Sequence, residues 1–214
     1  MKKMVCVLVF VLLALSLFGC GSSSASAQKT VDQIQAEQAR ERLETAIATC
    51  DELQETDYTP YSWKKFTAAL DNAKRVDGLE TSRKSELDEV SKKLDNAKQD
   101  LRPSIESGKY QGLDYEACIR NPEQWKGKYI GFAGIVNEVK TDGGSKVLTV
   151  AMNGSNDTLV AVSYPSDLVE QNVLTGDALA IFGSVYTVKD GKTVAGTSIT
   201  YPVIAASYIE NESV

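Results

Sequence analysis

The chain has 214 residues, 23 of them Lys or Arg and 29 Asp or Glu, for a net charge of −6, and it contains no histidine. The missing imidazole excludes Ser-His-Asp and Cys-His nucleophilic sites, histidine-ligated zinc and histidine pH switches. The acid excess predicts repulsion from nucleic acid and from anionic lipid surfaces, so no nucleic-acid partner is expected.

Lys2 and Lys3 precede an apolar run over residues 4–18, MVCVLVFVLLALSLF. That run is too short for a spanning helix of about 20 residues and reads as an export leader. Leu17-Phe18-Gly19-Cys20 resembles the lipobox of bacterial lipoproteins. The resemblance implies cleavage after residue 19, acylation of Cys20, for example by palmitate, and an extracytoplasmic protein held on the cell membrane by lipid. A secretory signal cleaved near Ala25-Ser26-Ala27 and a retained membrane anchor are the alternatives. Loss of Lys2 and Lys3 with residues 1–19 leaves 21 basic against 29 acidic side chains, a net charge of −8. Residues 20–30, the lipidated cysteine and a serine-rich stretch, are expected to be a flexible tether spanning about 17 Å.

The chain changes character near Pro103, which predicts two domains. Residues 31–102 read as helix. Val31, Ile34, Leu43, Ile47, Cys50 and Leu53 recur at the spacing of one helical face. Thr59 and Pro60 suit the cap and first position of a second helix, which carries Trp63, Phe66, Leu70, Ala73 and Val76 and ends at Asp77-Gly78. A third is expected from Thr81 or Ser82, presenting Leu87, Val90, Leu94, Ala97 and Leu101 before Pro103. Three such stripes are buried by packing as an antiparallel bundle. Tyr58-Thr59-Pro60-Tyr61-Ser62-Trp63, continuing through Phe66, Ala69-Leu70 and Ala73, with Glu86-Leu87-Asp88 and Leu94-Asp95-Asn96-Ala97 beyond, resembles the FIVAR module. That resemblance implies a three-helix bundle of Gram-positive surface proteins that engages wall sugars or host matrix. Trp63 and Phe66 could form a sugar-stacking platform, but at i and i+3 among apolar neighbours they read as core. Ser62-Trp63-Lys64-Lys65 fits the S-x-x-K nucleophile motif, without the companion motifs that such enzymes carry. It reads instead as a solvated helix face.

Residues 103–111 (PSIESGKYQ) suit a linker, residues 112–210 a second domain and residues 211–214 a tail. A short helix is expected from Asp114 to Asn121, ending at Pro122. Strands are expected at 128–139, 146–152, 158–163, 178–188, 192–197 and 203–209, with a helix over 165–172. Turn signals stand at Asp142-Gly143-Gly144, 153–157, Thr175-Gly176-Asp177 and the hairpin dipeptide Asp190-Gly191. Glycine-bent strands in this order match a five- to six-stranded OB barrel. Gly134-Ile135-Val136, Gly183-Ser184-Val185 and Gly176-Asp177 resemble the tRNA-anticodon-binding-like OB family found in small bacterial lipoproteins. The overall expectation is an α+β chain, a three-helix bundle followed by an OB barrel. A ligand site is expected over the barrel's second and third strands, between Asp142–Ser145 and Lys189–Lys192.

Residues 103–214 hold 8 basic and 13 acidic side chains, and the second and third strands carry no aromatic before Tyr164, so the stacking groove of nucleic-acid OB folds is not expected. Asn153-Gly154-Ser155-Asn156-Asp157 lacks EF-hand spacing, and Gly191-Lys192-Thr193 lacks the glycines of a phosphate loop, so no metal or other cofactor is expected. Cys50 and Cys118, one in each expected domain, either bridge in an oxidising compartment or remain buried thiols. No catalytic constellation is present. The sequence therefore predicts a non-enzymatic lipoprotein that binds an envelope or extracellular ligand, wall glycan or protein. The alternative is an accessory or structural subunit of a membrane-protein complex.

Overall fold

The computed structural model describes residues 24–192 and 198–213, with side chains from residue 31 onward. The leader, Cys20, residues 21–23, residues 193–197 of the expected fifth strand and Val214 lie outside the described residues.

Three helices come first: α1 (Ser24–Asp51), α2 (Pro60–Asp77) and α3 (Lys84–Gln99). α1 starts inside the stretch expected to be a flexible tether. Ala25, Ala27, Gln28 and Lys29 are good helix formers, and extending a helix that packing has already nucleated is cheaper than starting one. α2 opens on Pro60 behind Thr59, as expected. α3 begins at Lys84, later than Thr81 or Ser82, because Glu86 reaches back to accept the Arg83 N–H at 3.0 Å and caps the helix there. Arg42 pairs with Asp88 at 3.1 Å and Lys98 donates to Thr49 Oγ1 at 3.4 Å, so α1 and α3 run parallel. α2 runs antiparallel to both, its end held by Arg40, which donates to the carbonyls of Asp77 and Leu79. Leu43, Cys50, Phe66, Leu70, Leu87 and Leu94 meet in one apolar core.

The expected polar linker is a strap. The Ser104 N–H donates to Asp57 O at 2.8 Å, and Tyr58 and Pro103 form an isolated bridge. The Tyr110 ring lies 5.5 Å from both Tyr129 and Phe182, and its hydroxyl donates to Pro103 O at 3.0 Å. An aromatic residue with apolar neighbours in reach is buried against them, whatever the polarity of the segment before it.

Beyond the strap follow β1 (Gln111–Gly112), α4 (Tyr115–Arg120), α5 (Pro122–Trp125), β2 (Tyr129–Asp142), β3 (Ser145–Met152), β4 (Leu159–Pro165), β5 (Ala178–Lys192) and β6 (Ser198–Asn211). The strand order is β1-β2-β3-β4-β6-β5, and β5 returns to pair with β2, closing the five long strands into a barrel. β4 and β6 are parallel, the other long pairs antiparallel. β2 serves both layers: residues 129–135 pair with β5, residues 134–142 with β3, and the register shifts between Val136 and Glu138. This is the OB topology, with β1 as a sixth strand.

Two expectations fail here. Over the expected helix 165–172, Pro165 ends β4 and residues 166–172 form turns and bends. Their apolar side chains, Leu168 and Val169, together with Val173, pack against the barrel core, a use that helical spacing does not serve. Asp190-Gly191 is not a hairpin turn: both residues lie in β5, opposite Thr200 and Ile199. Thr200 Oγ1 donates to Asp190 Oδ1 at 2.6 Å, so a turn-forming dipeptide is held extended by its cross-strand partner.

The barrel core, formed by Ile130, Val136, Leu148, Val162, Ile181 and their neighbours, shares no residue with the helical core. Cys118 belongs to the first and Cys50 to the second. Both are free thiols, so the bridge between them is not made.

Candidate functional site

A cleft of about 540 Å³ opens where the first turns of α2 and the last turns of α3 meet the barrel. Its helical wall presents Tyr61, Lys65, Asn96 and Ala97, and its barrel wall Ser145, Ser163, Tyr164 and Ala205. The volume falls in the range of small-ligand sites, roughly 300–1,000 Å³. Both walls are rigidly placed. Ser62, at the base of α2, is buried, shares a 2.9 Å hydrogen bond with Thr59 Oγ1 and accepts the Arg102 N–H at 3.1 Å. Thr59 and Ser62 thereby suture the start of α2 to the segment that follows α3.

Of the residues read as a solvated helix face, Lys65 is exposed but Ser62 is not. Ser62 is 7% exposed and its hydroxyl is fully engaged. Lys65 turns away from it and donates to Tyr61 Oη, which in turn donates to Asp167 Oδ1 at 2.6 Å. Lys65 Nζ also lies 3.4 Å from Asp167 Oδ2. The three side chains clamp α2 to the β4–β5 connection beside the cleft. The Tyr61 hydrogen bond, with Lys65 behind it, holds the Asp167 carboxyl below the usual carboxylate range. Burial first, and then donation to Asp167, push the Tyr61 hydroxyl up.

The charges that line the cleft are already paired within the chain: Lys65 with Asp167, Lys93 with Glu89 at 2.7 Å, and Arg102 with Asp100 at 3.9 Å. Among the described residues, the side chains of Asn96, Ser145 and Ser163 have no hydrogen-bond partner. The Tyr164 hydroxyl has none either, although the residue is only 2% exposed. The cleft walls thus leave the neutral donors and acceptors of Asn96, Ser145 and Ser163 open, an arrangement suited to hydrogen-bonding a ligand.

Of the positions expected to flank a site, Ser145 lines this cleft, while Lys189–Lys192 belong to the paired β5–β6 arm and do not. Trp63 and Phe66 belong to the helical core: Phe66 is fully buried and Trp63 stacks on Tyr58 at 5.8 Å. The 153–157 segment is a tight turn with Asn153 at φ 53° and Gly154 at φ 75°, and Asn137 donates to Asn156 Oδ1 at 2.7 Å across its base. Cys20 lies outside the described residues. The sequence reading missed Tyr61, Asn96, Ser163 and Asp167 as site residues. Tyr61 and Asp167 are 106 residues apart, and no local pattern links them.

No protein-family description matches the chain, and no curated protein is similar to it. Several solved structures are similar to its barrel. An aspartyl-tRNA synthetase from Entamoeba histolytica is 13% identical with a TM-score of 0.35, over 50% of this chain and 22% of that one. The mitochondrial single-stranded DNA binding protein Rim1 of S. cerevisiae is 10% identical with a TM-score of 0.31, over 41% and 96%. The Stn1-Ten1 complex of S. pombe is 16% identical with a TM-score of 0.25, over 39% and 57%. The likeness spans about a fifth of the synthetase and concerns fold alone. The presence of a single-stranded DNA binding protein among these barrels corrects one expectation: the exclusion of nucleic acid drawn from net charge is withdrawn.

Proposed function

We propose that the protein is a non-enzymatic, lipid-anchored protein of the bacterial cell surface that binds an envelope or extracellular ligand, wall glycan or protein. In this reading Cys20 is acylated, residues 31–102 are a FIVAR-like three-helix domain, residues 112–210 are an OB domain, and the two bind through the cleft between them. The observation that carries it is the composition of that cleft. Both parts of the chain contribute a wall, the charges are internally satisfied, and neutral hydrogen-bonding groups stand open.

Cosedimentation of residues 28–214 with purified wall material tests it. Saturable pelleting is expected, lost in Ala97→Trp and Ala205→Trp, which fill the cleft, and kept in Lys64→Trp on the outer side of α2. Pelleting that ignores the cleft variants removes the cleft as the site; no pelleting removes wall binding. A short single-stranded DNA serves as a further probe in the same assay. The accessory-subunit reading is favoured by a different observation. The outward pairs of β2 and β5, Ala133 with Ala180 and Ile135 with Ala178, form an uncharged strip near Leu174, which is 63% exposed. Copurification of the lipidated protein with one membrane partner, abolished by Ala133→Arg, would support that reading.

A further inference from the structure

We infer that α1 is a rigid stalk that stands the cleft away from the bilayer, so that the anchored protein reaches outward and does not trail on a flexible tether. The stalk rests on the reading of Cys20 as the acylated residue. Only residues 21–23 separate Cys20 from the first residue of α1, Ser24. Three residues, even fully extended, span about 10 Å, so the helix begins at the membrane surface.

Direction follows from the pairing of the helices. α1 and α3 are parallel, with Arg42 level with Asp88 and Thr49 level with Lys98. Lys98 neighbours Ala97, and Ala97 lines the cleft. The cleft therefore sits at the end of the helices opposite to the start of α1. From Ser24 to Thr49 the helix axis rises about 38 Å. Among the described side chains of α1, the first buried one is Ala39. Before it, residues 32–37 face the α2–α3 connection at Glu80–Ser85 across a shallow groove, and residues 24–31, about 10 Å of axis, extend beyond that groove. A chain that must cross from anchor to cleft could do so along α1, up and back through α2 and α3, only with an odd number of helices, and three helices place the barrel connection at the far end.

Charge opposes leaning. With residues 1–19 removed the protein carries −8, and an anionic bilayer repels such a body over the Debye length, about 8 Å at physiological salt. The short joint at 21–23 allows tilt, and this repulsion favours the upright range of it.

Energy transfer from a protein label to a headgroup dye in vesicles containing anionic lipid tests the stalk with the lipidated protein. Cys50 and Cys118 are 2% and 0% exposed, so single exposed cysteines take the label selectively. Glu37→Cys marks the lower stalk and Asn96→Cys the cleft. Transfer is expected to be strong from the first and weak from the second. Gln33→Pro, in the exposed lower part of α1, breaks the helix without removing a buried side chain and should raise transfer from the Asn96 label about twofold or more. Intact mass of the mature protein reports acylation separately. An unacylated Cys20 overturns the anchor reading and the stalk with it. An acylated protein whose two labels report equal transfer, or whose cleft label ignores Gln33→Pro, overturns the stalk alone.

Discussion

A methyl group added at Gly183 would sit 2.4 Å from Ala205 O and 2.8 Å from Ala206 Cα, both main-chain atoms of the neighbouring strand. Neither can move without breaking the β5–β6 ladder, so Gly183→Ala should cost about 2 kcal/mol, the range of overpacking in a tight core. At Gly144 nothing lies within 4 Å of the same added carbon, and Gly144→Ala should change stability by less than about 0.5 kcal/mol. Urea midpoints of the two variants give the comparison directly. Asp167 offers a second residue-level test. Its carboxyl is held down by Tyr61 and then Lys65, so the clamp stabilises the fold above the ordinary carboxylate value, near 3.9, and that contribution disappears as pH falls through the lowered value. In Tyr61→Phe the first of those causes is gone, and the Asp167 carboxylate should titrate at higher pH than in the wild type when followed by NMR. An unchanged titration would mean that Tyr61 does not hold it.

At the scale of elements, the connection between β4 and β5 separates what sequence pattern can and cannot tell. Residues 165–172, PSDLVEQN, have a cap, a proline and helix formers, and nothing in their spacing distinguishes a short helix from a plug. The barrel end decides: Val173 is 3% exposed while the next residue, Leu174, is 63% exposed. Val173→Ala should therefore cost about 2 kcal/mol, and Leu174→Ala less than about 0.5 kcal/mol, in the same denaturation experiment. Similar costs at both positions would contradict the plug. The long strands, the turn at Gly176 and the start of α2 at Pro60 were legible, because period two, a positive φ and a first-turn proline are local demands. The start of α1, the extended state of Asp190-Gly191 and the cleft were not. The first depends on propagation from a packed helix, the second on a cross-strand partner, and the third on surfaces supplied by segments about 100 residues apart.

Across the whole molecule, the separation of the two cores sets the cooperativity. Among the described residues, no apolar residue belongs to both, and polar ties between helices and barrel include the Tyr61–Lys65–Asp167 clamp and the strap that ends with Tyr110 shared between Pro103 and Ser207. An exposed ion pair and a few hydrogen bonds add little coupling between the two cores, so their unfolding is expected to separate into two events. Each core has its own reporter: Trp63 packs on the helical core against Phe66 at 5.2 Å, and Trp125 packs on the barrel core beneath Lys128. Trp125→Phe leaves fluorescence to the helices and Trp63→Phe leaves it to the barrel. The barrel closes on itself through five paired strands, whereas the helices bury one stripe each. The helical signal should therefore change first in urea, with midpoints separated on the order of 1 M. Coincident midpoints in both single-tryptophan proteins would show instead that the clamp and the strap weld helices and barrel into one cooperative unit, and the cleft between them would then be as rigid as either core.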